Sequence, residues 1–324
     1  RVMRSLVTGA GGFIGGHLVG RLLEDAHEVV AIDVKPQEEW YQWWDAAENY
    51  QGDVSQREIA FAITEDVDQV FNLAADMGGM GFIATHKAEC MLSVLSSTLV
   101  LMASKARSVD RYLYTSSACV YPDYRQEEAD SPALKEDDAY PAMPEDGYGW
   151  EKLFSERMCR HFAEDFGMSV RTPRLHNVYG PYGTYEGGRE KAPAAISRKI
   201  AEAVLTGKHQ IDIWGDGEQT RSFMYVDDCV EGFVRLMDSN VREPINLGSD
   251  ELVTINELVT IVEEIAGIEV ERTYNLGAPQ GVRGRCSDNT MIRDRLGWEP
   301  SITLREVMER TYNWIIGEMR NKNA

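Results

Sequence analysis

The chain has 324 residues, 43% hydrophobic and 27% charged, which is ordinary for a globular protein able to bury a large core and form two lobes. A formal net charge of −20 repels nucleic acids and anionic membranes, and no basic stripe offsets it, so neither is an expected partner. The apolar stretches are strand-sized, so no membrane span is expected. No signal peptide is visible, although a chain beginning with Arg1 rather than Met leaves room for an upstream segment.

Arg4–Thr8 reads as a short buried strand running into Gly9-Ala10-Gly11-Gly12-Phe13-Ile14-Gly15, and residues 16–23 read as a helix. Such glycines permit a tight turn and let backbone N–H groups approach a pyrophosphate at the helix N-terminus, which makes Gly9, Gly12, Phe13, Ile14 and Gly15 candidate cofactor residues. A second apolar strand, 29–32, ends in Asp33. A carboxylate there accepts from ribose hydroxyls and repels a 2′-phosphate, so the expected cofactor is NAD rather than NADP, with Lys35 nearby a weak contrary sign. Asp53, after Gln51-Gly52, is expected at the adenine.

Residues 69–75 and 111–115 read as further strands, and 86–106 and 148–166 carry helical periodicity. This alternation predicts an α/β fold, a Rossmann-type doubly wound parallel sheet with ligands at the carboxyl ends of its strands, where Gly9, Asp33, Ala74, Ala75 and Ser117 fall. Past residue 175 the pattern loosens. Residues 177–183 form a turn cluster, 184–191 are glycine-rich and charged, and Pro173 argues against a strand around it. A helix at 226–237, a strand at 244–248 and helices near 256–266 and 304–318 follow. No linker or repeat is visible, so a smaller C-terminal substrate-binding lobe is expected to interleave with the first: 1–175 plus about 225–248 for the NAD-binding domain, and about 176–224 plus 249–324 for the other. Cys90, Cys119, Cys159, Cys229 and Cys286 are dispersed and odd in number, which predicts reduced thiols, a cytoplasmic location and no metal site.

The chemistry concentrates in Ser116-Ser117-Ala118-Cys119 and Tyr148-Gly149-Trp150-Glu151-Lys152. Tyr148 and Lys152 are four apart and share a helix face. An ammonium beside a phenol favours the phenolate, so Tyr148 is expected to take a proton from an alcohol while Ser117 holds the oxygen. Cys119 is a further acid–base group that simple alcohol oxidation does not need. His176 reads as a packed neutral histidine at least as readily as a functional one.

The glycine loop, Ser117, Tyr148 and Lys152 resemble the extended short-chain dehydrogenase/reductase superfamily. Longer runs are similar to its GDP-mannose 3,5-epimerase family: 72–82, 116–119, 187–195, Trp214-Gly215-Asp216-Gly217, 219–223, Gly281-Val282-Arg283-Gly284-Arg285 and 287–289. The resemblance implies NAD-dependent conversion of GDP-mannose to GDP-L-galactose and GDP-L-gulose, with Ser117, Cys119, Tyr148, Lys152 and Lys191 catalytic. C4 is oxidised to a ketone, C3 and C5 become acidic, Cys119 and Lys191 serve as the inverting acid–base pair, and C4 is reduced again. It also implies sugar contacts from Gly78, Ser117, Ala118, Glu190 and Lys191. Arg221, Arg283 and Lys199, with Arg285 as an alternative, suit the diphosphate, because a guanidinium fork matches phosphate oxygens. Asn177 and Gln219 are candidates for sugar or phosphate oxygens. A homodimer seamed by the helices at 86–106 and 148–166, and a role in ascorbate biosynthesis, are further implications. Ser93 and Val94 depart from the asparagines usual in that family, and 201–210 is longer than its counterpart. The competing readings are a GDP-fucose synthase type of epimerase/reductase, which uses a histidine partner and NADPH, and a non-catalytic NAD-binding protein.

Overall fold

The computed structural model describes residues 1–75 and 78–324; Asp76 and Met77, part of the 72–82 run, lie outside the described residues. The chain opens with β1 (Arg4–Thr8), α1 (Phe13–Glu24), β2 (Glu28–Asp33), β3 (Glu48–Gln51), α2 (Arg57–Ile63) and β4 (Gln69–Asn72). It continues through α3 (Met80–Thr85), α4 (Lys87–Leu92), α5 (Val94–Ala106), β5 (Arg111–Tyr114), β6 (Ser116–Ser117), α6 (Asp146–Phe166) and β7 (Val170–Arg171). Six of these strands form an all-parallel sheet in the order β3-β2-β1-β4-β5-β7. Leu6, Val7, Val30, Val70, Phe71 and Leu113 are buried on its two faces, which is why these strands read as apolar runs rather than alternating ones. The chain winds outward from β1 to β3, then returns past β1 to β4, and this reversal opens a crevice at the carboxyl ends of the strands.

Three local outcomes differ from the sequence reading. The strand at 69–75 stops at Asn72, because the Thr8 hydroxyl accepts the Leu73 and Ala74 N–H groups at 3.0 and 3.1 Å and turns the chain out of the ladder. The helix at 86–106 is two helices, α4 and α5, meeting at Ser93. By length and composition Lys87–Ala106 is apolar enough to cross a membrane, which the strand-sized reading overlooked; here it packs against α6, α2 and the sheet.

The second half holds β8 (Pro173–Leu175), β9 (Val178–Tyr179), α7 (Ala192–Thr206), β10 (Gln210–Trp214), β11 (Thr220–Ser222), β12 (Met224–Tyr225) and α8 (Val226–Asp238). Then come β13 (Ile245–Leu247), β14 (Leu252–Thr254), α9 (Ile255–Ala266), β15 (Glu271–Asn275), α10 (Thr290–Leu296) and α11 (Leu304–Lys322). Pro173 does begin a strand, β8, which lies between β13 and β6 in a small parallel sheet. Its position as first residue makes the missing N–H harmless, and Ile245 N–H reaches the Thr172 carbonyl instead. The sequence reading does not anticipate α7. It starts with Pro193 in its first turn and ends on Gly207 at φ +75°.

Helix α8 packs on α1 and the main sheet, whereas α7 packs on α9 and α11. One apolar cluster runs from Val7, Leu18 and Phe71 through Phe233 to Val259 and Met308, so the two halves share a core. A second cluster, including Leu6, Val70, Tyr112 and Val170, fills the other face of the sheet.

Candidate active site

A cavity of about 850 Å³ follows the carboxyl ends of β1, β2 and β4. Gly9, Gly12, Phe13, Ile14, Gly15, Asp33, Asp53, Ala74, Ala75, Tyr148 and Lys152 all line it, as does Ser93, while Val94 does not. The turn that shapes it requires glycine: Gly9 has φ +68°, and a Cβ at Gly15 would lie 2.1 Å from the Gly9 carbonyl oxygen. Gly12 caps α1 with no side-chain acceptor, which leaves first-turn N–H groups for an anion. Asp33 is held at the rim by the N–H groups of Gly11 and Lys35, both at 2.9 Å. Asp53 accepts from the Ser55 amide and hydroxyl. These features fit a dinucleotide with a free ribose 2′-hydroxyl.

A second cavity, of about 450 Å³, joins the first at Gly78, Ser117, Tyr148, Leu175 and Lys191. Ser117 ends β6, and its hydroxyl accepts the Cys119 N–H at 3.1 Å, which winds Ala118–Val120 into a tight turn and aims both side chains into the cavity. Tyr148 and Lys152 come from the first turns of α6. A Cβ at Gly149 would lie 2.3 Å from the Cys119 carbonyl oxygen, so glycine lets the helix touch the turn that carries the thiol. Lys152 Nζ donates to the Thr115 carbonyl at 2.8 Å and lies 5.6 Å from the centre of the Tyr148 ring. Burial pushes the Tyr148 phenol well above its usual range, with Cys119 adding to the rise and a Ser117 hydrogen bond opposing it. Burial also lowers Lys152. In the chain by itself desolvation therefore outweighs the lysine, contrary to the simple charge argument.

Cys119 is buried, and its thiol is raised by burial first and by Glu145 second, with Arg285, Ser117 and Lys191 drawing it down. Arg285 Nη1 is 3.8 Å from Cys119 Sγ. Lys191, the residue before α7, lines the same cavity, and burial depresses its ammonium below the ordinary lysine value. Burial thus moves the two groups in opposite directions, the thiol toward its protonated form and the amine toward its neutral form, on two elements that meet at this cavity.

Gly78, Ala118, Asn177, Glu190, Lys199, Gln219 and Arg221 line this cavity too. Among the described residues Asn177 Nδ2 and Gln219 Oε1 are buried there without a hydrogen-bond partner, one donor and one acceptor suited to a ligand. Arg283 does not line it: its guanidinium makes a paired contact with Asp216 at 2.8 and 3.0 Å in a half-exposed position. Arg285 takes the place expected of Arg283. It donates to Gln126 and Glu145, both at 2.7 Å. Burial acts against the charge of Glu145, but Arg285 and Arg221 together carry its carboxyl below the usual range. Arg221 donates to the Thr220 and Gln280 carbonyls, and burial, with repulsion from Arg285, lowers it to about 10. Glu145 and Gln126 escaped the sequence reading, since neither belongs to a recognisable motif. His176 is buried and neutral, lowered by burial to about 3, with its Nε2 on Asn246.

Residues 5–248 match the profile of the NAD dependent epimerase/dehydratase family. The chain belongs to this family. It is 45% identical over 314 residues to GDP-mannose 3,5-epimerase 1 of Oryza sativa subsp. indica, covering 97% of this chain and 82% of that protein. Among solved structures it is similar to UDP-glucose 4-epimerase with UDP-glucose from Thermotoga maritima, at TM-score 0.87 and 26% identity over 99% of this chain and 100% of that one. MoeE5 in complex with UDP-glucose and NAD gives TM-score 0.81 and 29% identity over 99% and 100%. The chain is an NAD-dependent epimerase built on the Rossmann-type fold of the extended short-chain dehydrogenase/reductases.

Proposed function

We propose that this epimerase binds GDP-mannose and inverts C5 and C3 to give GDP-L-galactose, with GDP-L-gulose the product of inversion at C5 alone. The observation that carries the reading is Cys119 and Lys191 lining one cavity with Ser117 and Tyr148. A C4 epimerase needs only the last two. The reductase alternative calls for a histidine where Lys191 stands, and Asp33 disfavours its NADPH.

Arg221, Arg285 and Lys199 supply positive charge for the diphosphate. Tyr148 Oη takes the C4 hydroxyl proton, and Ser117 Oγ holds that oxygen. Bound along the cavity lined by Gly12, Asp33, Tyr148 and Lys152, NAD would supply the reversible hydride acceptor for C4. With C4 a ketone, the C–H bonds at C3 and C5 are acidic. Of Cys119 Sγ and Lys191 Nζ, one removes the proton and the other delivers one to the opposite ring face, so the net change is inversion without loss of atoms. The tyrosine then returns its proton to the C4 oxygen.

The plant relatives' name supports the choice of sugar and nucleotide. We also propose a homodimer through α4, α5 and α6, where Met91, Leu92, Leu95, Trp150 and Phe154 are exposed. The cysteines are all free thiols, in keeping with a proposed cytoplasmic setting, and a place in ascorbate biosynthesis follows from the same reading.

Proton NMR in D₂O with GDP-mannose and no added cofactor tests the mechanism. Each inverted carbon, C5 alone or C5 and C3, is expected to carry deuterium, and C4 its original hydrogen. Deuterium at C4, or inversion without label at C3 and C5, rules the mechanism out.

A further inference from the structure

Glu151 is a buried acid that the chemistry above does not use. It is 3% exposed and sits on α6 beside Lys152. Its Oε1 accepts from the Ser97 hydroxyl of α5 at 2.8 Å and from Ser155 at 3.0 Å, and its Oε2 accepts from the Tyr114 hydroxyl of β5 at 3.3 Å. Three hydroxyl donors suit a carboxylate, which only accepts. Among the described residues no guanidinium reaches it, whereas Glu156, one turn on, has Arg174 at 2.8 Å. The cation beside Glu151 is Lys152, whose Nζ lies 4.9 Å from the centre of the Tyr114 ring. Tyr114 therefore stands between carboxylate and ammonium, its hydroxyl held by one and its ring face turned to the other.

We propose that Glu151 is a positioning residue, the fixed counter-charge that keeps Lys152 an ammonium and so sets the pH range in which Tyr148 accepts a proton. The proposal rests on the alcohol-oxidation reading of Tyr148 and Lys152, not on the identity of the sugar. Burial acts to strip the proton from Lys152, and Glu151 is the foremost group opposing it, ahead of Cys119 and Glu156. The other groups facing the pair are Tyr112 and Tyr114 on β5, Cys90 on α4, and Cys159 on α6. Lys191 faces Lys152 from the start of α7.

Glu151→Gln keeps the shape of the side chain and removes the charge. Lys152 then loses its proton at lower pH, which brings the alkaline limb in, and while Lys152 is still charged the Tyr148 phenolate, no longer repelled by Glu151, also forms at lower pH. Both limbs of a bell-shaped profile move toward acid. A unit charge roughly 10 Å away, at an effective dielectric near 20, moves a pKa by about one unit.

The test uses the full chain loaded with NAD. The pH profile of single-turnover cofactor reduction by GDP-mannose is recorded for wild type, Glu151→Gln and Glu151→Asp. Tyrosinate absorbance against pH, with the Tyr148→Phe signal subtracted, follows the same ionisation without substrate. Glu151→Gln is expected to titrate about one pH unit lower by both readouts, and Glu151→Asp close to wild type. An unmoved tyrosinate titration in Glu151→Gln overturns the proposal whatever happens to the rate. If GDP-mannose reduces no cofactor in wild type, the sugar assignment fails, and the titration still decides the role of Glu151. Should Glu151→Gln not fold, Lys152→Met and the double variant decide. The double variant unfolds at higher temperature than Lys152→Met if the two charges are partners, and an equal or lower temperature overturns the idea.

Discussion

In the proposed mechanism Cys119 and Lys191, which line one cavity from different elements, share the inversion step, and each can be removed separately from C4 oxidation. Cys119→Ala is expected to bind GDP-mannose and still reduce cofactor, with inverted product falling by about 10²–10⁴-fold. Tyr148→Phe should lose both activities; product NMR and cofactor absorbance separate the two outcomes. Lys191→Met should abolish inversion yet raise thermal stability at neutral pH. The sign follows from burial. Lys191 is depressed in the folded chain, so between that value and the ordinary lysine pKa the unfolded chain binds more protons, and stability rises with pH across the window. Met at 191 removes that slope, which melting curves at two pH values would show. Legibility at this scale followed sequence distance. Ser117, Cys119, Tyr148 and Lys152 were readable because one turn and one helix carry them. The preference for Arg283 over Arg285 is reversed in the structure, because their partners are remote in sequence: Asp216 draws one guanidinium outward, and Glu145, 140 positions away, draws the other in.

At the level of elements, the site depends on how closely α6 approaches the turn after β6. Gly149 makes this contact possible, since any Cβ there would overlap the Cys119 carbonyl. Gly149→Ala is expected to cost about 1–3 kcal/mol and to move Tyr148 away from Ser117. Denaturant unfolding should show the loss, and activity should fall by more than the folded fraction alone explains. The first turn of the fold was legible because strand, glycines, helix and acidic strand end are adjacent in sequence. The break between α4 and α5 was not, because Ser93 interrupts no periodicity. Nor was α7, whose small residues at 192, 194 and 195 look like loop until packing on α9 and α11 is known.

At the scale of the whole molecule, a net charge of −20 surrounds a site built for an anion. Apolar contact draws chains of like net charge together against their repulsion, and α4, α5 and α6 offer it, with Leu92 60% and Phe154 52% exposed. Light scattering at micromolar concentration should report a dimer, and Phe154→Glu on this face should shift it toward monomer without touching the cavity residues. The doubly wound class was legible from the alternation of strands and helices. The shared core of the two halves was not, because residues such as Val259 and Met308 join the same buried cluster as Val7 only through long-range folding.

Arg221 and Arg285 repel each other in the buried wall, with Glu145 as the acid between them. A diphosphate bound beside both guanidiniums, as proposed, would offset that repulsion. Occupancy then acts as part of folding: at a hundred times the dissociation constant a ligand adds about 2.7 kcal/mol of stability. In a cell, degradation draws on the opened chain, so the lifetime of this enzyme would follow the supply of its own substrate.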